Sequence, residues 1–417
     1  MNAAWIAYRA IAPLLGGLAP WARVLASPQE RRLWSERLGQ ASLPDGCHAW
    51  VHAASLGEAV AVPPLVAELL AAQPEARLYL TATTRAGRAR LAAHGHPASL
   101  APIDSPQAVR SFFEGVRPAR LFLIETELWP HWLLRARDQR VPVAVVSARL
   151  SERSARGYRR LGSPLHELVA GLAAVLCQTP EDEARWRALG ARPERTAVVG
   201  NLKHDALPAE PPDRPAARAR LGLERERPLL VLGSVRPGEA RLLARAWGAL
   251  PAEQRGSWQV VAVPRHPRAT RELIAETAGA GDAPAGHELP AAKLWRWDDR
   301  PGVLMDYYAA CDVAVVGGSL LPYGGHNPME PAACGAAVIV GAHHASQVGA
   351  VRTLERFGAV SVVAEADELE SALRQLLGDE ALRATRSRAA LEAVRSQRGA
   401  ARRATGLLTG WGLWPVS

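Results

Sequence analysis

The chain has 417 residues, more than one hydrophobic core usually serves, so two domains are expected. A hydrophobic content of 48% excludes a disordered chain, and a formal charge of +9 points to an anionic partner: nucleic acid, a membrane or a phosphorylated lipid. The four cysteines, Cys47, Cys177, Cys311 and Cys334, lack the spacing of a zinc or redox motif and lie in apolar contexts, so buried thiols in a reducing compartment are expected.

Residues 3–25 carry Trp5, Ile6, Tyr8, Leu14, Leu15, Trp21 and Leu25, interrupted by Arg9, Pro13, Pro20 and Arg23. This barely reaches the roughly 20 apolar residues of a spanning helix, and the prolines argue against a cleaved signal peptide. Aromatic residues with flanking arginines suit a membrane-associated helix over 1–30 that lies in the headgroup region. The other reading is a helix packed on the protein's own surface.

From residue 48 onward, short aliphatic runs alternate with helical patterns. His48–Ala53, Arg77–Thr81, Ala119–Ile124 and Val141–Val146 come first. Prolines 208, 211, 212 and 215 then mark a linker within His204–Pro215, after which Leu229–Leu232, Gln259–Val263, Val313–Val316 and Ala337–Val340 resume the alternation. Such alternation predicts parallel sheets covered on both faces. The expected architecture is α/β: two doubly wound, Rossmann-like domains over 31–207 and 208–395, facing a central cleft, with a C-terminal helix over 396–417 returning to the first. Ligands in such sheets bind beyond the carboxyl ends of the strands.

Five stretches carry candidate chemistry. In Trp50–Glu58, a strand runs into Ser55 and a helix follows, placing Glu58 at the sheet edge as a general base towards a hydroxyl. Ser55 and Glu58 also have capping-box spacing, and the helix dipole is expected to lower the carboxylate's pKa. Gly57 leaves room for a ligand to approach the backbone. Gly233 and Ser234, in a turn after Leu232, present free N–H groups to an anion, with Arg236 adding a cation. Arg265, His266 and Arg268 follow another strand end. The loop Gly317–Pro331 holds Gly317, Gly318, Ser319, Gly325 and His326, room for a nucleotide against bare backbone; Asn327, Pro328 and Glu330 fit the N-cap, N1 and N3 of a helix. Arg149, Arg153, Arg156, Arg159 and Arg160 form a basic stripe, either a solvated helix face or a contact for the phosphates of an anionic acceptor.

Taken in order, these blocks resemble the Kdo (3-deoxy-manno-octulosonic acid) transferases of lipopolysaccharide biosynthesis. The resemblance is carried by Glu36–Gly39, Ser55–Glu58, Thr83–Gly87, Glu125–Pro130, Ser147–Ser151, Gly200–Asp205, Gly233-Ser234, Pro264–His266 and Gly317–Pro331. It implies a GT-B architecture and an inverting, metal-independent transfer of Kdo from CMP-Kdo to the lipid A precursor (lipid IVA), without a cofactor. The implied setting is the cytoplasmic face of the inner membrane, and the implied partners are the lipid A precursor, a CMP-activated sugar and the membrane surface, not nucleic acid. Glu58 would be the catalytic base. Ser55, Gly57, Thr84, Glu127, Arg149, Arg153 and Arg156 would meet the acceptor. Ser234, Arg236, Arg265, His266, Gly317, Gly318, Ser319, Gly325, His326, Asn327 and Glu330 would hold the donor. The pattern departs from the family's usual one at Val303, where a glutamate is usual, and at Ser346-Gln347. Another CMP-linked acidic sugar, another glycolipid acceptor and a non-catalytic lipid-binding relative are the alternative readings.

Overall fold

The computed structural model describes Tyr8 and residues 27–43, 45–278 and 295–416. The membrane segment expected over 1–30 therefore lies almost wholly outside the described residues. Among those described, no helix is long and apolar enough to cross a membrane. The chain divides into two compact units, one running to Ala206 and joined by Gln397 onward, the other spanning Leu207–Ser396.

The first unit is built on seven strands: β1 (Ala49–Ala53), β2 (Leu78–Ala82), β3 (Ala98–Leu100), β4 (Leu121–Ile124), β5 (Val143–Ala148), β6 (Ala174–Cys177) and β7 (Thr196–Val198). Their order is β3-β2-β1-β4-β5-β6-β7, with every pair parallel. The second unit has six: β8 (Leu229–Val235), β9 (Gln259–Pro264), β10 (Arg296–Trp297), β11 (Val313–Val316), β12 (Ala337–Gly341) and β13 (Val360–Val363), in the parallel order β10-β9-β8-β11-β12-β13. Each order reverses once, between β1 and β4 and between β8 and β11, the switch point where such sheets open a crevice. The aliphatic runs singled out from the sequence are the four central strands of each sheet. Those strands are covered on both faces and read as continuous apolar runs. The edge strands β3, β7 and β10 are shorter, and Thr196–Val198 is partly exposed.

Side-chain alternation along β1 sorts the two faces of the first sheet. Trp50 joins Phe112, Phe113 and Trp132 on one side, its ring 4.4 Å from Phe112 and 4.7 Å from Trp132. Ala49, Val51 and Ala53 face the other, with Leu65, Leu69 and Phe122. That second face is completed by the helix Ala400–Gly410, which buries Ala400, Ala404 and Leu408, and by Trp414, whose indole donates to the Leu69 carbonyl at 2.9 Å. The four cysteines are buried free thiols.

Five helices that follow strands in the first unit start on hydroxyl caps, and the one after β7 on Asn201. Ser55, Thr84, Ser105, Ser151 and Thr179 each accept the N–H three residues on. The helix Pro130–Asp138 after β4 is different, because its cap position is Trp129. The Asp104 carboxylate takes its first N–H groups instead, from His131 at 3.0 Å and Trp132 at 3.2 Å.

Since Trp414 is 1% exposed and closes the second face against Phe122 and Leu69, Trp414→Ala should cost about 3–5 kcal/mol. Urea unfolding of the full chain checks this, and a change below about 1 kcal/mol would show that the C-terminal segment adds nothing to the first core.

Candidate active site

At the carboxyl edge of the first sheet, the loops after β1, β4 and β7 deliver Glu58, Glu125, Glu127 and Lys203. Glu58 sits in the short helix Leu56–Ala59. Ser55 Oγ accepts its backbone N–H at 3.3 Å, the expected cap. The carboxylate, however, reaches past Ser55 to take the Ala54 N–H at 2.7 Å. Its pKa is raised to about 7, not lowered: burial is the main cause, the charges of Glu125 and Glu127 add to it, and the Ala54 N–H and Lys203 only partly oppose them. A four-residue helix contributes too little dipole to outweigh burial beside two like charges.

Glu125 adopts a left-handed backbone (φ 62°) immediately after β4, and its carboxylate meets Lys203 Nζ at 2.5 Å. Glu127 accepts the Trp129 indole N–H at 2.6 Å, with the Trp129 ring partly exposed beside it. Gly87 lets the helix Arg85–Ala92 approach the Ser55 turn, since a Cβ there would meet the Ser55 carbonyl carbon at 3.2 Å. Gly57 faces open space, with nothing nearer to an added Cβ than Ser55 Oγ at 3.9 Å. Thr84 is exposed and spends its hydroxyl oxygen on the Gly87 N–H at 3.1 Å. Arg149, Arg153 and Arg156 are exposed, and Arg156 and Arg159 lean on Glu152 at 4.0 and 3.4 Å.

In the second unit the corresponding edge is cationic. Arg236 lies over the Tyr323 ring, 4.4 Å from its centroid, and its NH1 donates to His266 Nε2 at 2.9 Å. Arg265 extends the cluster from the end of β9. His326 packs on Gly318, where a Cβ would come within 2.8 Å of its ring. Burial and the neighbouring charges of Arg265 and Arg236 push the His326 pKa down to about 4, so it stays neutral. The guanidinium groups supply fixed charge for an anion and the neutral His326 adds a polar contact, while partial burial and the charges of Arg265, Arg236 and Arg268 lower the pKa of His266.

Three expectations about this edge need correction. Ser234 is not in a turn: β8 continues through it to Val235, with a register shift there and a left-handed φ of 58°. Nor are four neighbouring loop N–H groups free for an anion. The fully buried Glu239 accepts from Arg236 N at 2.9 Å, Gly318 N at 2.8 Å and Leu320 N at 3.0 Å, and Glu276 takes Gly238 N at 2.7 Å. The Ser319 hydroxyl is occupied as well, donating to Val316 O and accepting Gly341 N. The helix following the glycine loop begins at Met329 with Pro328 at its cap; Asn327 still accepts the Met329 N–H and donates to Glu330 Oε1 at 3.3 Å. Gly317 is required by packing, as a Cβ there would strike Ser234 O at 2.6 Å, and Gly325 is buried with φ 80°. Among the described residues, no group of three or more His, Cys, Asp or Glu side chains is placed to hold a metal ion.

Residues 32–206 match the family model of 3-deoxy-D-manno-octulosonic-acid transferases (kdotransferase). A transferase of that name from Bordetella pertussis is 37% identical over 97% of this chain and 98% of its own length. The chain belongs to the Kdo transferase family. A Haemophilus influenzae member is 31% identical over 92% of each chain. In fold, this family member is similar to a UDP-GlcNAc 2-epimerase from Neisseria meningitidis (TM-score 0.61, 14% identity, 87% of this chain and 99% of that one). It is also similar to a glycosyltransferase from Rickettsia africae (TM-score 0.60, 11% identity, 89% and 100%). As a Kdo transferase the chain is an enzyme, a glycosyltransferase.

Sequence reasoning singled out Glu58 and Glu127 but not Glu125, Lys203 or His52 as site residues. Glu125 and Lys203 do lie within the family-like blocks Glu125–Pro130 and Gly200–Asp205. Their pairing across 78 positions is a product of strand order and leaves no local signal.

The raised pKa is open to direct test. Selective ¹³C labelling of glutamate, with Glu58→Gln to assign the resonance, should show the Glu58 carboxyl titrating near pH 7; a midpoint near the ordinary value of 4.5 would contradict the burial argument.

Proposed function

We propose that this Kdo transferase moves Kdo from CMP-Kdo to the lipid A precursor in lipopolysaccharide biosynthesis, by inverting, metal-independent transfer at the cytoplasmic face of the inner membrane. The observation that carries the reading is the half-buried Glu58 carboxylate, whose pKa of about 7 suits a general base at neutral pH. Glu58 takes the proton of an acceptor hydroxyl as that oxygen bonds to the anomeric carbon of Kdo. The bond from that carbon to the CMP phosphate oxygen breaks, and the electron pair leaves with CMP. One displacement inverts the centre. Arg236 and Arg265 stabilise the departing phosphate, the role that a metal ion has in other transferases. Acceptor recognition falls to the first unit: Ser55, Gly57, Thr84 and Glu127 stand at or beside the base, and Arg149, Arg153 and Arg156 offer charge to lipid phosphates. Donor recognition falls to Arg236, Arg265, His266, His326, Asn327 and Glu330, on a loop frame shaped by Ser234, Gly317, Gly318, Ser319 and Gly325.

Mass spectrometry of the lipid A precursor incubated with CMP-Kdo should show Kdo addition. The rate should rise with pH through about 7, because the base is protonated and idle below its pKa. Glu58→Gln should lower transfer by roughly 10²–10⁴-fold with CMP affinity unchanged. An active Glu58→Gln enzyme would remove the base assignment.

In calorimetry, Arg265→Ala, His266→Ala and Glu330→Ala should each weaken CMP binding, by roughly tenfold where a charge-assisted bond is lost. Unchanged affinity in all three would move the donor elsewhere. Residues 3–25 and the arginines at 149–160 are two membrane signals, so the full chain should bind anionic liposomes at low salt and a chain lacking residues 1–25 should bind them less. No binding by the full chain would refute the membrane assignment.

A further inference from the structure

His52 is the fourth residue of β1 and is fully buried on the Trp50 face, its ring 4.8 Å from Trp132. It is absent from the donor and acceptor contacts proposed above, and an apolar residue would fill its place with less desolvation. Its two nitrogens have different surroundings. Nδ1 is 2.8 Å from Thr81 Oγ1, and the same hydroxyl oxygen accepts the Trp50 indole N–H at 2.7 Å. Nε2 has no hydrogen-bond partner and faces Glu127 Oε2 at 3.6 Å.

These contacts decide the tautomer. An indole N–H only donates, so the Thr81 oxygen acts as acceptor towards Trp50, and the hydroxyl still has one proton to place. Its other contact is His52 Nδ1, which receives that proton if it is the unprotonated nitrogen. The imidazole proton then lies on Nε2 and points at the Glu127 carboxylate. In the opposite tautomer the fully buried Thr81 hydroxyl proton has no acceptor, and a bare Nε2 lone pair faces a carboxylate. Burial also lowers the pKa of the ring, against the opposing pull of Glu127 and of the Thr81 backbone.

We infer that His52 is a positioning residue: as a neutral Nε2–H donor fixed from beneath by Thr81 and Trp50, it keeps the Glu127 carboxylate turned towards Glu58. The role rests on the reading of Glu58 as the base. The same Glu127 oxygen, Oε2, accepts the Trp129 indole N–H, and Tyr158 lies in the field of the carboxylate. Glu58 is faced by Glu125, Glu127 and Lys203. Lys203 is paired with Glu125, which leaves Glu127 as the negative charge on this edge whose position His52 governs. The order Trp50–Thr81–His52–Glu127 thus links the core of the first sheet to the proton affinity of the base.

The test uses the full-length protein and begins without substrate. The ¹⁵N shifts of His52 in the resting enzyme at pH 7–8 should be those of the Nε2–H tautomer; the Nδ1–H tautomer overturns the proposal. Two variants separate positioning from packing. The amide of His52→Asn lies near the Nδ1 position and keeps the Thr81 side but does not reach Glu127, whereas that of His52→Gln lies near Nε2 and restores a donor to Glu127. His52→Asn should lower the ¹³C titration midpoint of Glu58 by about one pH unit and kcat by roughly tenfold, with the KM for CMP-Kdo unchanged. His52→Gln should return both towards wild type. If Asn and Gln behave alike in the Glu58 titration while CMP binding shows both folded, His52 only fills space and the proposal fails. The tautomer and the Glu58 midpoint are read without turnover, so they judge His52 even if Glu58→Gln were to keep transferase activity and remove the base reading.

Discussion

A carboxylate that must stay half out of water is the constraint around which the first unit is arranged. Glu58 keeps a high proton affinity because it is packed at the sheet edge among other carboxylates, and that arrangement carries its own repulsion. The fold offsets it locally. Lys203 neutralises Glu125, the Trp129 indole and His52 attend Glu127, and the Ala54 N–H holds one Glu58 oxygen. The partners come from the ends of three strands, β1, β4 and β7, whose carboxyl ends a parallel sheet brings to one edge.

The second unit meets the opposite requirement with the opposite device. Its edge gathers Arg236, Arg265 and Arg268, and what keeps these cations from splaying apart is internal. Tyr323 stacks under Arg236, His266 accepts from it, and the buried Glu239 draws the Arg236 and Gly318 backbones onto one carboxylate. Burial raises the proton affinity of Glu239, and the N–H groups it accepts oppose that rise. The loop that resembles a phosphate cradle in sequence is therefore organised by an internal anion, the Glu239 carboxylate.

Glycine serves this edge by allowing contact. Gly317 sits where the Ser234 carbonyl would touch a Cβ, and Gly318 is covered by the His326 ring. Any side chain at either position would push β11 away from β8 or lift His326 from the loop, so backbone and imidazole share a space that only hydrogen fills.

Much of this was legible in the chain itself. The apolar runs that became β1, β2, β4 and β5, and β8, β9, β11 and β12, declare two parallel sheets because a strand buried on both faces has no polar alternation to hide it. Glu58, Arg236, Arg265 and His266 stand immediately after such runs, and position after a central strand is enough to bring a residue to the ligand edge. What needed the tertiary structure was every property that depends on neighbours distant in sequence. The pKa of Glu58 turned from lowered to raised because the carboxylate is buried at the sheet edge, where Glu125 and Glu127, arriving from β4, add their charges. Ser234 proved to lie within β8, because pairing with β9 continues past the point where the apolar run stops. His52, hidden as one more residue of a buried strand, gained a role only when Thr81 of β2 and Glu127 after β4 were placed on either side of its ring. Local sequence determines which side chains reach an edge; strand order alone determines which charges they meet there.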